Sequence, residues 1–267
     1  MARVVLITGA SAGIGWACAQ RLDAAGWVVV GASRRGSTVG GGTGVTMDVD
    51  DDASVRHGVA GVIDRHGRVD AVVAAAGWGL AGAVEHTTVE EAKAQFETNF
   101  WGAVRTVQAT LPAMRTHGGG RVVLISSIGG VIGIPFQAFY SASKFALEGM
   151  AEAMAYEVAP FGVSVTLVEP GNIATDFTTS RRLAEASSTD DTYRDALHKA
   201  VEMMEHDEAN GAAAGVVAAA IHKVLEARRP PRRVSVGKAG ERTGLVAKRL
   251  LPFRVFERAA KGSLGVG

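Results

Sequence analysis

The pattern that most restricts this chain is a regular alternation of short apolar runs with longer segments of helical composition. The runs fall near residues 3–8, 27–31, 43–47, 69–76, 119–126, 163–168 and 232–236, and helical stretches lie between them, with long ones at 88–117 and 138–160. Strands covered on both faces read as continuous Val, Ile and Leu runs, and a strand–helix–strand rhythm buries both faces only as a parallel sheet between helical layers. The expected fold is therefore α/β, a doubly wound parallel sheet of about seven strands with helices on both faces, in a single domain spanning 1–267. A chain of 267 residues with 47% hydrophobic content can bury one large core, and no repeat or linker marks a second. Residues 36–44 read as a glycine-rich surface loop.

The first strand, Val4-Val5-Leu6-Ile7, runs into Thr8-Gly9-Ala10-Ser11-Ala12-Gly13-Ile14-Gly15 and then a helical segment. Glycines there let the backbone turn sharply and let a pyrophosphate approach the N–H groups of a helix N-terminus, whose dipole favours negative charge. The spacing Gly-x-x-x-Gly-x-Gly differs from the Gly-x-Gly-x-x-Gly fingerprint. Tyr140 and Lys144, four residues apart, share a face if their segment is helical. A free phenol is a poor acid at neutral pH, and a cation beside it draws its pKa toward the working range, as carbonyl reduction or alcohol oxidation requires. Gly120-Arg121-Val122-Val123-Leu124-Ile125-Ser126-Ser127 reads as a buried strand ending in hydroxyls, where ligands sit in parallel α/β sheets, which makes Ser127 a candidate donor to a substrate oxygen.

Together these residues resemble the short-chain dehydrogenase/reductase family, with its Thr-Gly-x-x-x-Gly-x-Gly and Tyr-x-x-x-Lys motifs, closely over residues 3–176. The resemblance implies a Rossmann-type fold and a cofactor turn made by Thr8, Gly9, Ser11, Gly13, Ile14 and Gly15. It further implies that Ser127 orients substrate, that Tyr140 is the acid/base, and that Lys144 is its partner and holds the nicotinamide ribose. Asn99 matches the fourth catalytic residue, which holds a water of a proton relay; Asp48 and Val49 match the adenine contact; Pro170, Gly171, Ile173 and Thr175 match the segment closing over the nicotinamide. Where the family commonly has Asn-Asn-Ala-Gly, this chain has Ala74-Ala75-Ala76-Gly77, which keeps the permissive Gly77 and loses the bracing side chains. The span 120–177 is most similar to the 17β-hydroxysteroid and retinol dehydrogenase branch, which implies a lipophilic ketone or alcohol.

Charge argues the cofactor's identity. An NAD enzyme of this topology places a carboxylate after the second strand to bind the ribose 2′-hydroxyl. Between Val28 and Met47 there is no Asp or Glu; Ser33, Arg34 and Arg35 stand there instead, suited to a 2′-phosphate. NADP(H) is expected. Trp78, Val131, Ile134 and Phe136, with Ser127, are expected to line an apolar substrate pocket. The reading is an NADP(H)-dependent oxidoreductase interconverting a ketone or aldehyde and an alcohol; the alternative is a non-catalytic NADP(H)-binding sensor. No metal site is expected.

A net charge of +1 argues against nucleic-acid coating. One cysteine, Cys18, excludes an internal disulfide and points to a reducing compartment. The longest apolar stretch, 211–221, is far short of the ~20 residues of a membrane span, and Met1-Ala2-Arg3 leads into the first strand without a signal peptide, so a cytoplasmic protein is expected. The polar segment 176–210 matches the family's substrate lid. Residues 228–267 carry eleven Lys or Arg and two Glu, with Leu245, Leu250, Leu251, Phe253 and Phe256 interleaved. This basic extension is expected to fold over the subunit's own acidic surface or a neighbour; a peripheral membrane anchor is the other reading. Family helices matching 88–117 and 138–160 pair with symmetry mates, which implies a homodimer or homotetramer.

Overall fold

The computed structural model describes residues 2–36, 40–188, 190–252 and 254–258. Residues 37–39 of the glycine-rich loop, Phe253 and 259–267 of the basic extension lie outside the described residues. In chain order the elements are β1 (Val4–Thr8), α1 (Gly13–Ala24), β2 (Val28–Ser33), β3 (Thr43–Thr46), α2 (Asp52–His66), β4 (Ala71–Ala74) and β5 (Leu80–Ala81). Next come α3 (Val89–Phe96), a π turn (Glu97–Trp101), α4 (Gly102–Thr116), β6 (Gly120–Ile125), α5 (Ala138–Glu157), β7 (Val163–Pro170) and β8 (Ile173–Ala174). The chain continues through α6 (Phe177–Ser180), β9 (Arg182–Leu183), α7 (Arg194–Ala209), β10 (Ala212–Ala213), α8 (Ala214–Glu226), β11 (Arg233–Val236) and α9 (Ala239–Leu250).

Seven strands form one sheet in the order β11-β7-β6-β4-β1-β2-β3, every neighbour parallel. The expected doubly wound sheet is observed. β1 pairs with β2 on one side and β4 on the other, so the winding reverses between β1 and β4 and opens a crevice at their carboxyl ends. The first strand is wholly buried because it is covered twice. On one face Leu6 and Val72 pack with Val55, Val59 and Val62 of α2, Val107 and Met114 of α4, and Leu147 and Met154 of α5. On the other, Val5, Ile7 and Val73 pack with Cys18 and Leu22 of α1 and Val217, Ile221 and Leu225 of α8.

The stretch 88–117 is not one uniform helix. α3 begins at a Thr88–Glu91 capping box, and residues 97–101 widen into a π turn before α4. A π turn displaces side chains relative to an α-helix and is frequent at functional sites. Here it carries Asn99, which is 1% exposed.

Candidate active site

The β1–α1 turn works because two of its residues need conformations that only glycine adopts easily. Gly9 (φ +66°) and Gly13 (φ +54°) are left-handed, and a Cβ on Gly9 would lie 2.9 Å from the Ala76 backbone. A Cβ on Gly15 would be driven into the Gly9 carbonyl. Thr8 Oγ1 lies behind the turn and accepts from the N–H groups of Ala75 (3.1 Å) and Ala76 (3.2 Å). A threonine thus braces the segment whose asparagines are missing. No side chain caps α1, leaving its first N–H groups for a ligand.

A cavity of about 1180 Å³ runs along the carboxyl end of the sheet. That exceeds the roughly 300–1,000 Å³ of a pocket for one small ligand, and leaves room for cofactor and substrate together. At one end it is walled by Gly9, Ser11, Gly13, Ile14, Gly15, Ser33, Arg34, Arg35, Asp48 and Val49. Arg35 donates to Ser11 Oγ (3.2 Å), which ties the second-strand arginines to the glycine turn. Ser33 Oγ is buried with no hydrogen-bond partner. An orphaned hydroxyl beside two guanidinium groups at an uncapped helix start fits a phosphorylated dinucleotide.

Midway, β6 and α5 bring Ser127, Tyr140 and Lys144 into the cavity wall. Ser127 Oγ accepts from the Gly129 N–H (3.0 Å), which leaves its own O–H to donate outward. Lys144 Nζ donates to the Ile125 carbonyl (2.8 Å) and stands 5.8 Å from the Tyr140 ring centroid. Burial pulls the lysine down to about 8, opposed by Glu148. Burial pushes the Tyr140 phenol up to about 12; a hydrogen bond with Ser127 and the charge of Arg181 oppose this, and Glu208 adds to it. Within the described chain the phenol is thus held protonated, because desolvation of the ring outweighs its hydrogen bond with Ser127 and the charge of Arg181.

Asn99 does not reach the cavity wall. Its Oδ1 accepts from Trp78 N–H (3.0 Å), and its Nδ2 donates to the Trp78 carbonyl (3.1 Å) and Ser143 Oγ (3.3 Å). A Cβ on Gly77 would lie 3.0 Å from Asn99 Oδ1 and 3.8 Å from Lys144 Nζ, so the glycine lets the two side chains close around it. Pro170, Gly171, Ile173 and Thr175 also line the cavity.

Of the expected substrate residues, Trp78, Ser127 and Ile134 line the cavity. Val131 and Phe136 do not. Val131 ends the turn after Ser127, and Phe136, at φ +58°, turns its ring to Tyr193 (centroids 6.4 Å apart), while Ile132 lines the cavity. The far end is lined by groups that no sequence motif marked: Phe177, 5.8 Å from the Tyr140 ring, Met203, Met204, Leu251 and Phe256. Arg182 stacks over Trp78 at 4.5 Å. Beside them Glu208 accepts from Thr178 Oγ1 (2.5 Å) and pairs with Arg181, whose side chain is 2% exposed. A signal existed only in the apolar residues interleaved among charges in 176–210 and 228–267, which pattern alone cannot assign to a partner.

Comparison with known proteins agrees with this arrangement. The family model described as short chain dehydrogenase matches residues 3–186. The chain belongs to that family. It is 41% identical over 260 residues to a 3-ketodihydrosphingosine reductase of Bacteroides thetaiotaomicron, covering 97% of both chains. It is 36% identical over 256 residues to retinol dehydrogenase 8 of Bos taurus, covering 86% of this chain and 80% of the relative. A solved short-chain dehydrogenase from Streptomyces avermitilis superposes with a TM-score of 0.84 at 32% identity over 98% of both chains. This short-chain dehydrogenase is therefore an oxidoreductase that interconverts a carbonyl and an alcohol on a small molecule with a nicotinamide dinucleotide, and the retinol dehydrogenase branch is among its relatives. Among the described residues no helix is long and apolar enough to cross a membrane, and no His, Cys, Asp and Glu cluster could hold a metal.

Proposed function

We propose that the protein is an NADP(H)-dependent carbonyl reductase or alcohol dehydrogenase acting in the cytoplasm on a lipophilic ketone or alcohol. The observation that carries this reading is one continuous cavity. It joins the Ser33, Arg34 and Arg35 wall to Ser127, Tyr140 and Lys144, and then to an end lined by Trp78, Ile132, Ile134, Met203, Met204 and Phe256.

The glycine turn, Ser33, Arg34 and Arg35 would hold the cofactor's phosphates, and Asp48 and Val49 its adenine. When bound, the reduced nicotinamide supplies a hydride to the carbonyl carbon. Ser127 and Tyr140 hydrogen-bond the carbonyl oxygen, and Tyr140 gives it the proton. Ser127 and Tyr140 also stabilise the negative charge developing there, with water excluded by the apolar end. Lys144 refills the phenol's proton. Asn99 acts through Trp78 and Ser143 to fix the strand end and helix that carry these groups, and its second Oδ1 lone pair is available to the expected water. Residues 176–210 form the substrate lid. The lipophilic reading is supported by the apolar lining and by a full-length relative named for 3-ketodihydrosphingosine, a long-chain ketone.

The test is a panel of ketones and alcohols followed by nicotinamide absorbance. Each buried methylene contributes roughly 0.8 kcal/mol, about fourfold, so catalytic efficiency should climb from acetone-sized to cyclic and long-chain ketones. A preference for small or charged substrates would reject the lipophilic pocket while leaving the oxidoreductase in place.

A further inference from the structure

α9 is fixed to the body of the protein by one face and turns apolar side chains outward on another. Glu241 accepts from the N–H groups of Asn172 (3.0 Å) and Lys238 (2.8 Å), and Leu245 and Phe256 are buried. Val246 and Leu250 are 55% and 76% exposed, and lie with exposed Arg242 at four-residue spacing on the same helical face. Leu251 and Val255, just beyond the helix, are 40% and 52% exposed. Soluble surfaces rarely cluster large apolar side chains so closely without a partner.

The same segment forms the rim of the cavity. Ala247, Leu251 and Phe256 line it opposite Met203 and Met204 of α7. The charge is one-sided as well: from Lys238 to Arg258 six Lys or Arg stand against two Glu, whereas Arg233, ahead of α9, is paired with Glu148 and Glu152. Exposed Arg242, Arg254 and Arg258 flank the apolar residues. A two-fold contact between copies would set this basic segment against itself, whereas anionic lipid headgroups complement it and the acyl region accepts the apolar side chains.

We propose that α9 and the segment after it are a docking surface for an anionic lipid bilayer, and that the cavity opens along that surface to take its substrate directly from the lipid. The second half rests on the lipophilic substrate proposed above; the docking itself does not.

The full chain should be tested for co-sedimentation with phosphatidylcholine vesicles, with and without phosphatidylglycerol, at low and high salt. Binding is expected only to the phosphatidylglycerol vesicles and should weaken at high salt. Arg242→Gln with Arg254→Gln should weaken it about fivefold per arginine, the equivalent of ~1 kcal/mol each. Leu250→Asp with Val255→Asp should abolish it. None of these four residues lines the cavity, so turnover of a water-soluble ketone should persist in every variant and certifies that each is folded. Absent binding, or equal binding to neutral vesicles, overturns the proposal. So does an oligomer that Leu250→Asp with Val255→Asp splits while vesicles are ignored, which would make the patch a subunit contact. Vesicle binding without any ketone turnover would instead overturn the substrate reading alone.

Discussion

Tyr140 is a buried phenol hydrogen-bonded to Ser127, so its hydroxyl can be removed almost without disturbing packing. Tyr140→Phe should abolish turnover and leave NADPH affinity, read by fluorescence titration, nearly unchanged; retention of more than a small fraction of activity would place the acid elsewhere. Lys144→Met gives a separate, thermodynamic readout. Burial lowers the folded-state pKa of Lys144 from 10.5 to about 8, so between those values the unfolded chain binds the proton and the folded chain does not. Stability then rises with pH across that window. Tyr140, raised from 10.0 to about 12, acts oppositely above pH 10, where the folded chain keeps a proton the unfolded one releases. Denaturant melts from pH 8 to 10 should therefore show a rise in the unmodified protein that Lys144→Met flattens. At the cofactor end, charge-assisted contacts to a 2′-phosphate are worth roughly 1.5–3 kcal/mol. Arg34→Ala should narrow the preference for NADPH over NADH by about ten- to a hundredfold at those energies, and equal affinities in the unmodified protein would sink the assignment.

Elements differ in how much of their shape a single atom decides. In α2, a Cβ on Gly61 meets nothing within 4 Å, and Gly61→Ala should raise stability by ~0.5–1 kcal/mol through a less flexible unfolded chain. Gly15→Ala, by contrast, puts a methyl into the Gly9 carbonyl and should lower both the melting temperature and dinucleotide binding. The π turn is the element where composition misled: residues 88–117 read as one helix because most of them, Gly102 and Pro112 aside, suit a helix. The wider turn is selected by Asn99, whose side chain spans to Trp78 and Ser143 on other elements. The segment proposed as the lid is similar, since Glu208 of α7 binds Thr178 of α6 and Arg181 just after it, 30 and 27 residues away in the chain.

At the scale of the molecule, the π turn leading into α4 leaves Trp101, and α5 leaves Phe145 and Tyr156, at 48%, 45% and 70% exposure. A two-fold partner packing these helices against their mates would cover such residues, as the family resemblance implies. Light scattering at micromolar concentration should give a dimer or tetramer, and Phe145→Glu should shift it toward monomer. A monomeric unmodified protein would contradict this. Such a contact lies on helices other than α9.

The sheet was legible in the sequence because burial on both faces writes itself as unbroken Val, Ile and Leu runs: the seven expected strands each overlap an observed one to within a few residues. The glycine turn was legible for the related reason that positive φ and close backbone approach at Gly9, Gly13 and Gly15 exclude other residues locally. What the sequence could not express were relations between distant positions. Ile132 rather than Val131 or Phe136 faces the cavity because Phe136 is drawn to Tyr193, 57 residues on. Thr8 braces the segment that lacks the family's asparagines because β1 and β4 are neighbours in space. Residues whose backbone or burial is dictated by their own segment could be read from the chain; the cavity's far end, assembled from α6, α7, α9 and the residues just after α9 by side chains common to amphipathic helices, was decided only when the fold brought them together.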